Sequence, residues 1–162
     1  MKLTSIQKQQ RGFTLIELLV VIGILAILLA ITLIAINPNK HFQDTRNAKR
    51  SSDVAAILDS IYEYQSANSG TLPPSVQGSI PSSTSISSTA INLCDVVPTY
   101  LADLPTDPDT TLTGSFVNGG PTPCNGSTTS YDTGYEISKT ASGRFTVTAP
   151  SAEGGASISV TR

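Results

Sequence analysis

Residues 13–36 read FTLIELLVVIGILAILLAITLIAI, and this stretch decides the fold. Twenty of its 24 residues are apolar, and the exceptions are Thr14, Glu17, Gly23 and Thr32. As an α-helix the stretch rises about 36 Å, enough to cross the roughly 30 Å hydrocarbon core of a bilayer. It exceeds the apolar region of about 7–15 residues in a cleaved secretory signal, and it is apolar on all faces, unlike a soluble surface helix. The stretch therefore predicts a membrane-spanning helix.

The other part of the chain is polar and has few large apolar residues. Of the 162 residues, 39% are hydrophobic and 14% are charged, whereas a soluble domain carries about 25% charged residues. Residues 1–50 hold seven of the ten Lys and Arg residues and two acids, and residues 51–162 hold the other three with ten acids. This distribution argues against a soluble cytosolic enzyme. Neither half is basic enough over a long span to predict direct nucleic-acid binding.

The orientation of the span does not follow from charge alone. Basic residues flank it on both sides, namely Lys2, Lys8 and Arg11 before it and Lys40, Arg46, Lys49 and Arg50 after it. A positive-inside count is therefore close to a tie. We expect the N-terminus in the cytoplasm because a short basic leader before an apolar run is the usual order of an export signal. The two cysteines of the chain also suit an exported side.

Glu17 is the one charged residue inside the apolar run. A carboxylate at membrane depth costs several kcal/mol unless it is neutralised, reaches the interface or finds a partner. Two interpretations follow from this. Either Glu17 lies close enough to the helix end to stay hydrated, or it awaits a cation supplied by another chain.

Residues 11–19 read Arg-Gly-Phe-Thr-Leu-Ile-Glu-Leu-Leu. This segment resembles the processing motif of type IV prepilins and type II secretion pseudopilins, and the resemblance covers residues 8–36. It implies that a membrane-embedded prepilin peptidase cuts the Gly12–Phe13 bond and methylates the new amine of Phe13. It also implies that Glu17 meets the Phe13 amine of a neighbouring subunit, which sets the register of a filament.

The resemblance implies a structural subunit of a type IV pilus-like filament. The implied partners are identical or related pilin subunits, prepilin peptidase, an inner-membrane assembly platform and the lipid bilayer. The chain would be a single-pass inner-membrane protein with an exported head, and would reach the cell surface after assembly. Two alternatives stay open: a minor pseudopilin of a type II secretion or DNA-uptake system, and a membrane-anchored binding protein that does not polymerise.

The sequence divides into a basic leader at 1–12, the apolar helix at 13–36, an amphipathic helix at 37–70 and a head at 71–162. In the second helix one apolar face contains Val54, Ile57, Leu58, Ile61 and Tyr62. Lys49 and Asp53 form an i,i+4 pair on the other side, and Pro38 predicts a break or kink. We expect the basic cluster Lys40, Arg46, Lys49 and Arg50 to be solvated, or to face anionic lipid or the acidic head of a neighbour.

In the head, residues 75–92 are rich in Ser and Thr and predict a surface loop. Tyr100, Leu101 and Leu104 follow in a short turn between prolines and are expected to close the end of the core. Strands are predicted at 135–139 and 144–148 as a hairpin, with 158–160 as a third and 116–117 as a weaker one. The predicted class is α+β: a long N-terminal helix, half membrane-spanning and half amphipathic, packed on a small antiparallel sheet, as in pilins.

Cys94 and Cys124 predict a disulfide on the exported side, worth roughly 3–4 kcal/mol; the alternatives are two free thiols or half of a metal site. Pilins often have such a bridge, although nearer the C-terminus. The single histidine, His41, lies far from both cysteines in sequence, which argues against a zinc set. Weak calcium candidates are Asp103, Asp107 and Asp109, whose spacing does not match an EF-hand. No phosphate loop, hydrolase elbow or dinucleotide fingerprint occurs, so we expect neither an enzyme nor a cofactor.

Overall fold

The computed structural model describes residues 12–109, Cys124 and residues 130–162. The chain divides into two compact units, one of residues 1–39 and one of residues 40–162. The first unit contains the apolar helix. The second unit contains an amphipathic helix and the sheet on which it packs.

Helix α1 spans Leu15–Ile36 and carries the apolar stretch. Because it is apolar all round, no face is reserved for a protein core. Its large apolar side chains from Leu15 to Ile34 are all about half exposed or more. The segment Leu15–Ala35 is long and apolar enough to cross a membrane. The prediction of a candidate membrane-spanning helix is confirmed.

The break between the two helices falls at Asn37. This residue adopts a left-handed conformation (φ 44°, ψ 74°) and ends α1, and Pro38 is the first residue of helix α2. Asparagine tolerates the left-handed region better than most residues, and proline fits the first turn of a helix because its missing N–H has no intrahelical partner there. The predicted break is therefore present, and Pro38 starts the second helix.

Helix α2 spans Pro38–Ala67. Its predicted apolar face is confirmed, since Val54, Ile57, Leu58 and Ile61 are all fully buried. The helix ends three residues before residue 70, the end of the predicted amphipathic segment. The backbone N–H of Gly70 (φ 86°) donates to the carbonyl of Gln65 at 2.8 Å, which satisfies a carbonyl of the last turn.

The sheet has four antiparallel strands in the order β1-β2-β3-β4. Their bounds are Thr84–Ser87, Asp132–Lys139, Phe145–Ala149 and Ile158–Thr161. Two short 3-10 helices, Pro74–Val76 and Cys94–Val96, lie in the connections. The β2–β3 turn closes as predicted, with the N–H of Gly143 (φ 85°) donating to the carbonyl of Thr140 at 2.9 Å.

The core lies between the sheet and the buried face of α2. Along β2 and β3 every second residue is buried, which places Tyr135, Ile137, Phe145 and Val147 on one face. Tyr62 of α2 contacts Phe145 edge to face, with ring centroids 6.2 Å apart. A long N-terminal apolar helix, a second helix and an antiparallel sheet form the predicted α+β arrangement.

One prediction about the head is wrong, and one lies outside the described residues. Residues 84–87 form strand β1, not surface loop, and Ile86 in this strand is fully buried. An isolated apolar residue among serines is too short a pattern to predict a strand. The weak strand at 116–117 lies outside the described residues. As expected, Leu104 is buried at the end of the core, with Tyr100 and Leu101 packed beside it.

Candidate functional site

The start of α1 is held by a capping box. Thr14 has extended backbone angles (φ −83°, ψ 151°) and is the N-cap residue. Its N–H and its hydroxyl donate to Oε2 of Glu17 at 2.8 and 2.7 Å. The N–H of Glu17 donates back to Oγ1 of Thr14 at 3.3 Å. This reciprocal pattern satisfies backbone donors that the first helical turn otherwise leaves without partners.

The capping box gives Glu17 a partner within its own chain. Glu17 occupies the third position of the helix, where the positive end of the helix dipole favours a carboxylate. Its Oε2 atom accepts both bonds from Thr14. Oε1 accepts none of the hydrogen bonds found among the described residues, so it is free to accept a donor from outside. Sequence reasoning missed the role of Thr14, although the spacing Thr-x-x-Glu before an apolar run is the pattern of a capping box.

Gly12 and Phe13 lie immediately before the capped helix. Phe13 is 85% exposed. A Cβ atom built on Gly12 meets no atom of the described chain within 4 Å. Crowding within the described chain therefore does not require glycine here.

A second polar site lies in the head, and we call it the Arg50 cluster. It consists of Arg46, Asn47, Arg50, Asp107 and Glu153. The Arg50 guanidinium is fully buried and donates from Nε and Nη2 to the two carboxylate oxygens of Asp107, both at 2.7 Å. Its Nη1 donates to Glu153 and to the Asn47 amide oxygen, both at 3.0 Å. Arg50 belongs to the basic cluster of residues 40–50 that was expected to be solvated, and this expectation is wrong for Arg50.

The Arg50 cluster joins three separated segments of the head. Arg46 donates to Glu153 with a second fork of bonds at 2.6 and 2.5 Å. Asn47 exchanges two bonds with the backbone of Glu153, which fixes the β3–β4 loop to α2. The backbone N–H of Asp107 donates to the Thr133 carbonyl at 2.8 Å, which fixes its loop to β2.

The ion pairs of the cluster raise the pKa of Arg50 and lower the pKa of Glu153. Hydrogen bonding to Asp107 raises the pKa of Arg50 above its ordinary value, against the opposing effect of burial. Hydrogen bonds from Arg46 and then from Arg50 lower the pKa of Glu153 to about 2. Both groups are therefore charged at neutral pH.

A second polar contact lies beside the cluster on α2. The predicted pair of Lys49 and Asp53 is present at 2.7 Å. Asp53 also accepts from the Tyr135 hydroxyl at 2.7 Å, and burial together with this bond raises the pKa of Tyr135. The bond connects the middle of α2 to the middle of β2.

The three calcium candidates do not form a common site. Asp107 uses both oxygens on Arg50, and its Oδ1 also accepts from the Asp109 backbone N–H at 2.8 Å. Burial raises the pKa of Asp103 above its ordinary value. Among the described residues, no group of three or more His, Cys, Asp or Glu side chains is arranged to hold a metal ion. His41 is one of the described residues and is exposed on α2.

Cys94 and Cys124 form a disulfide, with their Cα atoms 5.3 Å apart. The bridge lies beside Tyr131, whose hydroxyl donates to the Asn92 side chain at 2.8 Å. Burial raises the pKa of Tyr131 to about 12. The bridge fixes one point of the long connection between β1 and β2 to the edge of the core.

Comparison with protein families identifies the N-terminal site. Residues 7–33 match the family model described as the prokaryotic N-terminal methylation motif. This motif is the prepilin-type cleavage and methylation signature of type IV pilins and pseudopilins. Searches of curated proteins and of solved structures found no match. The matched segment contains Gly12, Phe13 and the whole capping box, so the chain carries this motif at the start of α1.

Proposed function

We propose that this chain is a structural subunit of a type IV pilus-like filament. In this proposal prepilin peptidase cleaves the Gly12–Phe13 bond and methylates the amine of Phe13. The subunit is stored in the inner membrane as a single-pass protein with its N-terminus in the cytoplasm and its head exported. An inner-membrane assembly platform then delivers it to a filament at the cell surface. The observation that carries the proposal is the methylation motif at residues 7–33, which runs directly into a capped, apolar helix.

The geometry of the capping box supports a role for Glu17 in assembly. Cleavage leaves an amine on Phe13, cationic at or near neutral pH. Inside a bundle of apolar helices the effective dielectric constant is low, so a matched carboxylate and amine attract strongly and a misplaced pair is costly. Since the cap uses Oε2 alone, Oε1 can accept the amine of a neighbouring subunit without loss of the cap. Glu17 would then set the register between subunits.

The surface of α1 also supports the proposal. Its exposed side chains are apolar along the whole helix, and such a surface is stable only in lipid or against other apolar surfaces. A bilayer covers it in the stored subunit, and the helices of neighbouring subunits cover it in a filament. One helix thus serves two environments in sequence.

Glu17→Gln tests the proposal, because glutamine keeps the capping pattern but removes the charge. We expect Glu17→Gln to be inserted into the membrane and cleaved after Gly12, but to lose most filament assembly. Thr14→Ser, which keeps the hydroxyl, serves as the matched control and should assemble normally. Filaments sheared from cells measure assembly, and mass spectrometry of the mature N-terminus measures cleavage and methylation.

The outcomes separate the parts of the proposal. Normal filament yield from Glu17→Gln contradicts the register role of the charge. An intact Met1, or a cut at another bond, contradicts the processing. A subunit that is processed and anchored but enters no filament is the membrane-anchored binding protein. A subunit found only as a trace component of filaments is a minor pseudopilin.

A further inference from the structure

Phe42 stands out on the surface of the second unit. It lies on α2 and is 62% exposed. In the part of the chain that the structure describes, all other exposed large apolar side chains belong to α1 or to Phe13 directly before it. A phenylalanine ring in water forgoes a burial free energy of about 1.5–3 kcal/mol. A bilayer interface or another apolar surface would recover part of this free energy.

The chain length places Phe42 within reach of a membrane interface. Phe42 lies seven positions after Ala35, the last residue of the candidate span. Seven residues of chain reach at most about 25 Å, and the polar layer on each side of a bilayer is about 5–7 Å thick. Phe42 is therefore within reach of the boundary between headgroups and acyl chains when residues 15–35 span the bilayer.

The charges near Phe42 favour an anionic partner. Arg46, Lys49 and Arg50 pair with acids of their own head. Lys40 is exposed and takes part in none of the ion pairs among the described residues, although Asp44 follows it by four positions. Lys40 is thus a cation available for lipid phosphate. A basic residue near an anionic membrane surface is attracted to it, and this attraction falls off over about 10 Å in 0.1 M salt.

We propose that Lys40 and Phe42 form an interfacial anchor, which holds the start of α2 at the headgroups of an anionic bilayer while the subunit is stored. The proposal rests on the membrane span of the proposed function. Lipid is favoured over a second copy of the chain because the anchor follows the candidate span by a few residues and adds the cation that anionic headgroups attract. Extraction of the subunit into a filament must then break this contact as well as withdraw the span.

Tryptophan fluorescence tests the proposal cleanly, because the chain contains no tryptophan. Full-length Phe42→Trp is placed in vesicles that contain anionic phosphatidylglycerol. Two variants serve as controls: Leu33→Trp reports from within the span, and Ser142→Trp reports from the exposed β2–β3 turn. Quenching by iodide measures exposure to water, and quenching by lipids brominated near the headgroup measures contact with the interface.

We expect Phe42→Trp to emit at shorter wavelength than Ser142→Trp, to be quenched by the brominated lipid, and to be protected from iodide by about threefold or more. Adding Lys40→Gln should remove the extra protection that anionic vesicles give over neutral phosphatidylcholine vesicles. Since the Phe42 side chain is exposed, these changes leave the core of the head intact.

Three results overturn the proposal. Iodide quenching of Phe42→Trp equal to that of Ser142→Trp, with Leu33→Trp quenched by lipid, overturns the anchor alone. If protection from iodide rises with the protein-to-lipid ratio while the brominated lipid does not quench Phe42→Trp, the partner of Phe42 is a second copy of the chain. Failure of lipid to quench Leu33→Trp overturns the membrane span, and with it the proposed function.

Discussion

Replacement of Asp107 by asparagine tests the Arg50 cluster directly. Asp107→Asn keeps the size of the side chain but removes the charge that faces a fully buried guanidinium. Removing one partner of a buried ion pair costs about 3–5 kcal/mol, because the other charge stays buried without compensation. Here Arg50 keeps its 3.0 Å contact with Glu153, so we expect a loss near the lower end, about 3 kcal/mol.

Two further variants give the expected order of effects. Arg50→Met leaves the buried Asp107 carboxylate without its guanidinium, so we expect a loss near the upper end, about 4–5 kcal/mol. Lys49→Gln removes an i,i+4 pair on the same helix whose lysine is half exposed, and it should cost no more than about 0.5 kcal/mol. The double variant Arg50→Met/Asp107→Asn should cost less than the sum of the two single changes, because it leaves neither charge of this pair alone.

Urea unfolding of the full chain in detergent micelles measures these losses. Near-ultraviolet circular dichroism of the buried tyrosines reports on the head, where Tyr131 and Tyr135 lie in the core. The reasoning is refuted if Asp107→Asn loses no more stability than Lys49→Gln. Additive losses in the double variant would show that Arg50 and Asp107 do not stabilise the head as a pair.

The remaining predictions concern acid and redox conditions. The pKa of Glu153 falls from 4.5 to about 2 on folding, so its contribution to stability is complete above about pH 4.5 and is lost as the pH falls toward 2; Glu153→Gln should flatten the dependence of the urea midpoint on pH over that window. The disulfide of Cys94 and Cys124 has a sequence separation of 30, so its removal by a double serine substitution should cost about 3–4 kcal/mol. Reduction of the wild-type chain should produce the same loss, and a smaller effect in both would show that the head does not depend on the bridge.

The elements with a local sequence pattern were predictable. The buried face of α2 follows from Val54, Ile57, Leu58 and Ile61 at helical spacing, and strands β2 and β3 follow from their alternation. Strand β1 was not predictable, because it is four residues long and contains the single isolated apolar residue Ile86. Its strand conformation depends on pairing with β2, which lies more than 40 residues later in the chain.

The sequence by itself determined the N-terminal site. The apolar stretch, the Gly12–Phe13 pair and the spacing of Thr14 and Glu17 are all local, so each follows from neighbouring residues without knowledge of the rest of the chain. Only the tertiary structure decided the role of Arg50. An arginine is solvated by default, and the partners that allow its burial lie 57 and 103 residues away, at Asp107 and Glu153. No sequence period links positions so far apart, and only the folded head brings their charges within hydrogen-bonding distance.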